Sequence, residues 1–230
     1  SLPADSAAMR ASAAKKRLDD YLRRQLPSPI LALEKSVSVP SSCHGLAHSL
    51  TCTADHRDKR FVVDEEGNQV GGFIVLDYKT GRLPAMDRTI WQDEPFWDKV
   101  AEWKPAPMAT APTLADPLLD ELAGRMQSVQ LAFYLLLLSR DQASLEMRGL
   151  PAHDAAWVEL SRQGEEFFVF PKNFSVRDRV QAVEKHSQLL VNFLLRHMLE
   201  SPGLAPRKGA HCLWCSSAKL CMVSPSSAAI

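Results

Sequence analysis

Apolar and polar positions follow two different periods along this chain, and the switch points divide it. From about Ser6, the stretch AAMRASAAKKRLDDYLRRQL is made of strong helix formers, with Leu18, Tyr21, Leu22 and Leu26 at helical spacing. The chain is therefore expected to open on a helix, ended by Pro27 and Pro29. Lys15, Lys16, Arg17, Arg23 and Arg24 give it a basic side, read as solvated surface in preference to a phosphate contact. Strand-like patterning then takes over. Leu31–Val39, Leu46–Asp55, Arg60–Val63 and Phe73–Lys79 read as four strands, with DEEGN at 64–68 as a hairpin turn. Short links make these an antiparallel meander entering a mixed sheet.

The second half returns to helical spacing. Leu83 to Thr113 is irregular and rich in Pro, and its Trp91, Trp97 and Trp103 are expected to pin it to the core rather than stack on bases. Leu114 to Arg140 is predicted as one long helix starting near Asp116-Pro117. Its later part, MQSVQLAFYLLLL, is apolar on nearly every side and belongs in the interior. Ala155–Ser161 and Glu166–Phe170 read as a hairpin around Arg162, Gln163 and Gly164. Val176–Glu200 is a last amphipathic helix, stopped by Pro202 and Gly203, and residues 223–230 read as a disordered tail. The fold expected is α/β in the broad sense (α+β), a central mixed sheet flanked by helices.

One strand stands apart. In GGFIVLDYKTGR, from Gly71 to Arg82, four apolar residues run directly into Asp77, Tyr78 and Lys79. Side chains alternate along a strand, so Asp77 and Lys79 leave it on the same side. This is either a strand-end ion pair closed by a Gly turn or a charged site. Asp55 closes an earlier strand, in TADHRD, and a meander can bring it beside Asp77. Two carboxylates with a backbone carbonyl suit a hard divalent cation, Mg²⁺ or Mn²⁺. A lysine beside them suits a reaction at a phosphate.

Composition narrows the classes. Apolar residues are 46% and charged residues 23%, as in ordinary globular proteins, and net charge is zero, so polyanion contacts must come from local patches. Leu131–Leu138, the longest apolar run, is too short to span a bilayer, and no signal peptide is read; a cytoplasmic protein without membrane contact is expected. The opening Ser is read as the mark of a piece of a longer chain. The five cysteines, at 43, 52, 212, 215 and 221, are odd in number and bunched near the end, which fits metal-binding thiolates in a reducing compartment better than disulfides.

In order, LTCTADHRD, VLDYKTGR, QLAFY and C-x2-C-x5-C, the chain resembles the RecB-type branch of the PD-(D/E)XK nuclease superfamily, over roughly residues 30–222. The resemblance implies a restriction-endonuclease-like core that cleaves DNA with Mg²⁺ or Mn²⁺, preceded by a helical segment at 1–29. It implies Asp55 and Asp77 as metal ligands, the carbonyl of Tyr78 as a third, Lys79 as the catalytic lysine, and Gln130 with Tyr134 as the helix motif. Cys212, Cys215 and Cys221 match the C-terminal cysteines of iron–sulfur nucleases, AddB-like modules among them. That implies a [4Fe–4S] cluster in a longer protein, or zinc with His211. Arg57, Lys59, Arg60, Arg82 and Arg88 are the candidate phosphate contacts.

The sequence also departs from the pattern. No cysteine lies in residues 1–30, Cys52 stands where the family carries Gly, and Cys43 is the less excluded fourth ligand. His56 replaces the Arg after the first Asp, and no helix His precedes the core; His44 and His48 do not obviously substitute. The activity expected is that of a deoxyribonuclease module, exonuclease rather than endonuclease, working with a helicase domain or subunit in DNA double-strand-break repair. The alternatives are a catalytically inactive DNA-binding or scaffolding module of the same fold and a CRISPR-associated RecB-like nuclease.

Overall fold

The structure, a computed structural model, describes residues 4–24, 30–43, 46–105, 116–141, 149–162 and 164–200. A five-stranded mixed sheet runs in sequence order: β1 (Ile30–Cys43), β2 (Leu46–Val63), β3 (Gln69–Lys79), β4 (Ala152–Glu159) and β5 (Glu165–Phe168). All pairings are antiparallel except β3 with β4, which is parallel. A parallel neighbour needs a crossover. Here the crossover carries α2 (Glu94–Glu102), α3 (Pro117–Arg125) and α4 (Gln130–Ser139).

The sheet is covered on both faces. On one, Phe73, Val75, Ala155 and Trp157 pack with Leu131, Leu135 and Leu138 of α4, with α2, and with α6 (Gln188–Glu200). On the other, Ile74, Leu76, Ala156 and Val158 meet Tyr21 of α1 (Ala4–Arg24), forming a smaller cluster. Buried on both sides, the middle of β3 must be apolar throughout, which is why FIVL shows no alternation. The fold is thus α+β with a mixed sheet flanked by helices, as expected.

Four boundaries differ from the sequence reading. The expected second and third strands are one strand, β2, because His56–Asp58 is paired to both neighbours, and Lys59 to β3, instead of looping out. The irregular stretch contains a 3₁₀ turn, Arg88–Gln92, and then α2, whose N-cap Asp93 accepts from Phe96 N–H (3.1 Å). Trp91 and Trp97 are buried there and stacked, as pins. The expected long helix is two helices. Met126 leaves α3 to bridge Met86, with Asp87 N–H donating to Arg125 O (2.7 Å) and Gln127 N–H to Ala85 O (3.0 Å). The last helix contains a π-helical turn, Ala182–Ser187, between α5 (Val176–Gln181) and α6. The hairpin of β4 and β5 is present, and Asp116 caps α3 with Pro117 at its first position. The tail with Pro202, Gly203, His211 and the three C-terminal cysteines lies outside the described residues.

Candidate active site

β3 ends with Asp77 and Lys79 on the α4 face, and three further side chains gather there. The β2–β3 register pairs His56 with Leu76, so one step further sets Asp55 opposite Asp77. Tyr78 N–H donates to Asp55 Oδ2 (3.0 Å) and fixes that carboxylate at the strand end. On the far side of β2, the β1 ladder omits the position where Glu34 faces Asp55, and Glu34 adopts φ 44°. A left-handed residue inside a strand is an irregularity a non-glycine rarely takes, and it falls beside the residue that must be aimed.

Gln130, at the start of α4, reaches down to this end of the sheet. Its Nε2 donates to Asp77 Oδ1 (3.2 Å) and to Tyr134 Oη (2.7 Å), one helical turn on. Lys79 Nζ donates to Gln130 Oε1 (3.4 Å) and lies 2.6 Å from Asp77 Oδ2. That last contact is a close ion pair off the ideal hydrogen-bond angle, and Lys79 is the one group that answers the buried Oδ2 among the described residues. Asp77 is 3% exposed. Burial raises its carboxyl above the ordinary range, Lys79 pulls it back, and the Asp55 charge pushes it up again. Burial also raises the Tyr134 hydroxyl; its bond to Gln130 opposes this, and Asp77 and Asp55 both add to it.

The five residues Asp55, Asp77, Lys79, Gln130 and Tyr134 are thus gathered in one place. Among the described residues no group of three or more His, Cys, Asp and Glu side chains could hold a metal ion. The acids form a pair, and a hard cation there would need backbone carbonyl and water oxygens as well. The chemistry fits: the donors are oxygens, Oδ2 of Asp77 already faces a cation in Lys79, and the two like charges repel until a cation lies between them.

The five basic candidates do not gather. Arg57 is 0% exposed and lies 3.7 Å from Asp141 behind α4, so it is unavailable to a phosphate. Arg60 points to the opposite face and grips Glu166 with both terminal nitrogens (2.9 and 2.8 Å). Lys59 lies over the Phe61 ring, at a position paired with Phe73, towards the other end of the strands. Arg82 and Arg88 alone remain by the site, around a cavity described below. Alternation accounts for part of the scatter: Arg60 must face away from Arg57 and Lys59, and those two are parted by burial of Arg57 and by distance along the strand.

Cys52 is a free thiol in the core, pushed up to about 11 by burial, so it packs as an apolar group and is no ligand. Cys43 is placed at the end of β1, its side chain outside the described residues, as are the side chains of His44 and His48.

Sequence reasoning missed the face beneath. His56 bridges Asp58 Oδ1 (Nε2, 2.5 Å) and Tyr78 Oη (Nδ1, 2.7 Å). Arg60 joins Asp58 to Glu166, and Tyr21 of α1 donates to Glu166 Oε1 (2.9 Å). Burial works to raise the Glu166 carboxyl, but Arg60 and Tyr21 overcome it and hold the group below its ordinary range. Tyr78 therefore serves two faces, its amide holding Asp55 and its ring belonging to this network. Period-two spacing of His56, Asp58 and Arg60 was the signal for a shared face; nothing local named Glu166 or Tyr21 as their partners.

Comparison with protein-family models, with curated proteins and with solved structures finds no match to this chain.

Proposed function

We propose that this chain is a metal-dependent deoxyribonuclease module with a restriction-endonuclease-like core. The observation that carries the proposal is the convergence, at one end of the sheet, of the Asp55–Asp77 pair with Lys79 and the Gln130–Tyr134 couple. A divalent cation bound by two carboxylates supplies a water of lowered pKa and neutralises charge on a phosphate. The two acids, with the carbonyl of Tyr78, are the groups to hold it. Gln130 keeps Asp77 Oδ1 engaged and so turns Oδ2 toward the ion, while Tyr134 fixes the Gln130 amide. Lys79, 31% exposed, is free to swing from Asp77 and steady the attacking water or the developing charge. The working context we infer is DNA end processing beside a helicase domain or subunit, by exonuclease action. Among the described residues no helix is long and apolar enough to cross a membrane.

The deciding experiment is cleavage of labelled DNA with Mg²⁺. Asp77→Ala and Lys79→Ala are each expected to remove at least about a hundredfold of the rate while fold and DNA binding persist. Full cleavage by either variant would refute the site. A second reading, a DNA-binding module without catalysis, is favoured by the tight Asp77–Lys79 pair and the lack of a third acidic ligand among the described residues. Calorimetric titration with Mn²⁺ separates the two, since only the nuclease requires binding that Asp77→Ala removes.

A further inference from the structure

A cavity of about 390 Å³ opens over β4 and β5. Its floor contains Trp157 and Phe167, paired across β4 and β5. Trp157 is also the parallel neighbour of Asp77, and Glu159, another lining residue, that of Lys79. The cavity thus lies one strand over from Asp77 and two from Asp55. Its rim holds Arg82, Arg88 and Arg162. Arg162 lies 3.5 Å from Glu159, whose other oxygen accepts from Ser161 (2.9 Å), so one acid is answered inside the pocket. Arg82 and Arg88 have no partner among the described residues. Two positive charges are left over at the mouth.

The floor is apolar. Phe167 is half-buried and turns part of its ring to the cavity, whereas Trp157 is 3% exposed and its indole Nε1–H is sealed from solvent. A ligand for this cavity must therefore present a flat apolar face and an anion at one edge. A volume near the lower end for small-molecule pockets admits one nucleotide and excludes a base pair.

We propose that this cavity is a nucleotide subsite: it takes the unpaired nucleotide next to the scissile phosphate, its base against Phe167 and its phosphate on Arg82 and Arg88. The subsite rests on the nuclease reading of the neighbouring acids, but its own chemistry is base recognition, and it is read by binding alone.

The test compares a fluorescein-labelled oligothymidylate with the matching oligomer of abasic nucleotides, which has the same phosphates, against the full chain without divalent cation. Wild type should hold the oligothymidylate roughly tenfold tighter. Phe167→Leu and Phe167→Ala should each shrink that ratio while abasic affinity stays, and Arg82→Ala or Arg88→Ala should weaken both oligomers alike. The arginines are at the rim, so these two variants remain informative if a Phe167 variant fails to fold. Equal wild-type affinity for the two oligomers, a ratio untouched by both Phe167 variants, or arginine variants that bind as wild type would overturn the subsite. Cleavage with Mg²⁺ but no base preference sinks the subsite and spares the nuclease; base preference without cleavage does the reverse. Failure to bind either oligomer sinks both.

Discussion

Two acids on opposite faces of one sheet are shifted in opposite directions. Asp77, under α4, is raised by burial and by Asp55, with Lys79 alone answering its buried oxygen. Glu166, under α1, is half-buried and is lowered, because Arg60 grips both oxygens and Tyr21 adds a third donor. The strands alternate between these faces, residue by residue: Asp55 and Asp77 look one way, His56 and Tyr78 the other. A fully answered polar group fastens two elements together, whereas a partly answered one retains the capacity to bind something else. The α1 face is a clasp, and the α4 face is a site.

The largest effect should come from the partly answered acid. Asp77→Asn is expected to reduce cleavage at least about a hundredfold without lowering the melting temperature. The sign of its pH dependence follows from the raised pKa. Ionising Asp77 costs the fold stability, so wild type and variant should melt alike below the ordinary carboxylate value of 3.8, and wild type should fall behind as pH rises through the raised value. Melting curves over a pH series without divalent cation read this directly; a gap that stays flat would mean the buried charge carries no penalty.

The clasp should behave in the reverse sense. Glu166→Ala is expected to cost about 2 kcal/mol of stability in denaturant titrations, with cleavage changed only a few-fold. Its folded pKa is lowered, so its contribution is present above the unfolded carboxylate range and lost as pH falls through the folded value. If Glu166→Ala unfolds no sooner but stops cleavage, the two faces have been assigned the wrong roles. Smallest should be Tyr21→Phe, which keeps the ring and removes one hydrogen bond, for about 1 kcal/mol.

How much of this could be read from the chain depended on sequence distance. Asp77 and Lys79 share a strand, and Gln130 and Tyr134 share a helical turn, so periodicity alone placed each pair on one face. Asp55 was legible because an apolar strand ran up to it. The clasp was not, since Tyr21 and Glu166 lie at opposite ends of the described chain and no local pattern joins them. The break between α3 and α4 was invisible for a related reason: Met126 leaves the helix to pair with Met86, a choice made by tertiary contact rather than by propensity. The polar run His56–Lys59 looked like a loop because its partners were unknown. Likewise Arg57, Lys59 and Arg60 looked like one basic patch, but Arg57 is buried against Asp141, Lys59 lies over Phe61 and the strand turns Arg60 to the other face.

Tyr78 joins what the sheet otherwise keeps separate. Its hydroxyl meets His56, its ring lies edge-on to Tyr21, and its amide steadies Asp55. Whatever tugs on the first helix is thereby felt, through a single peptide unit, by a carboxylate on the far side. A neighbouring domain that seized α1 would have a lever on the spacing of the two acids without ever entering the groove.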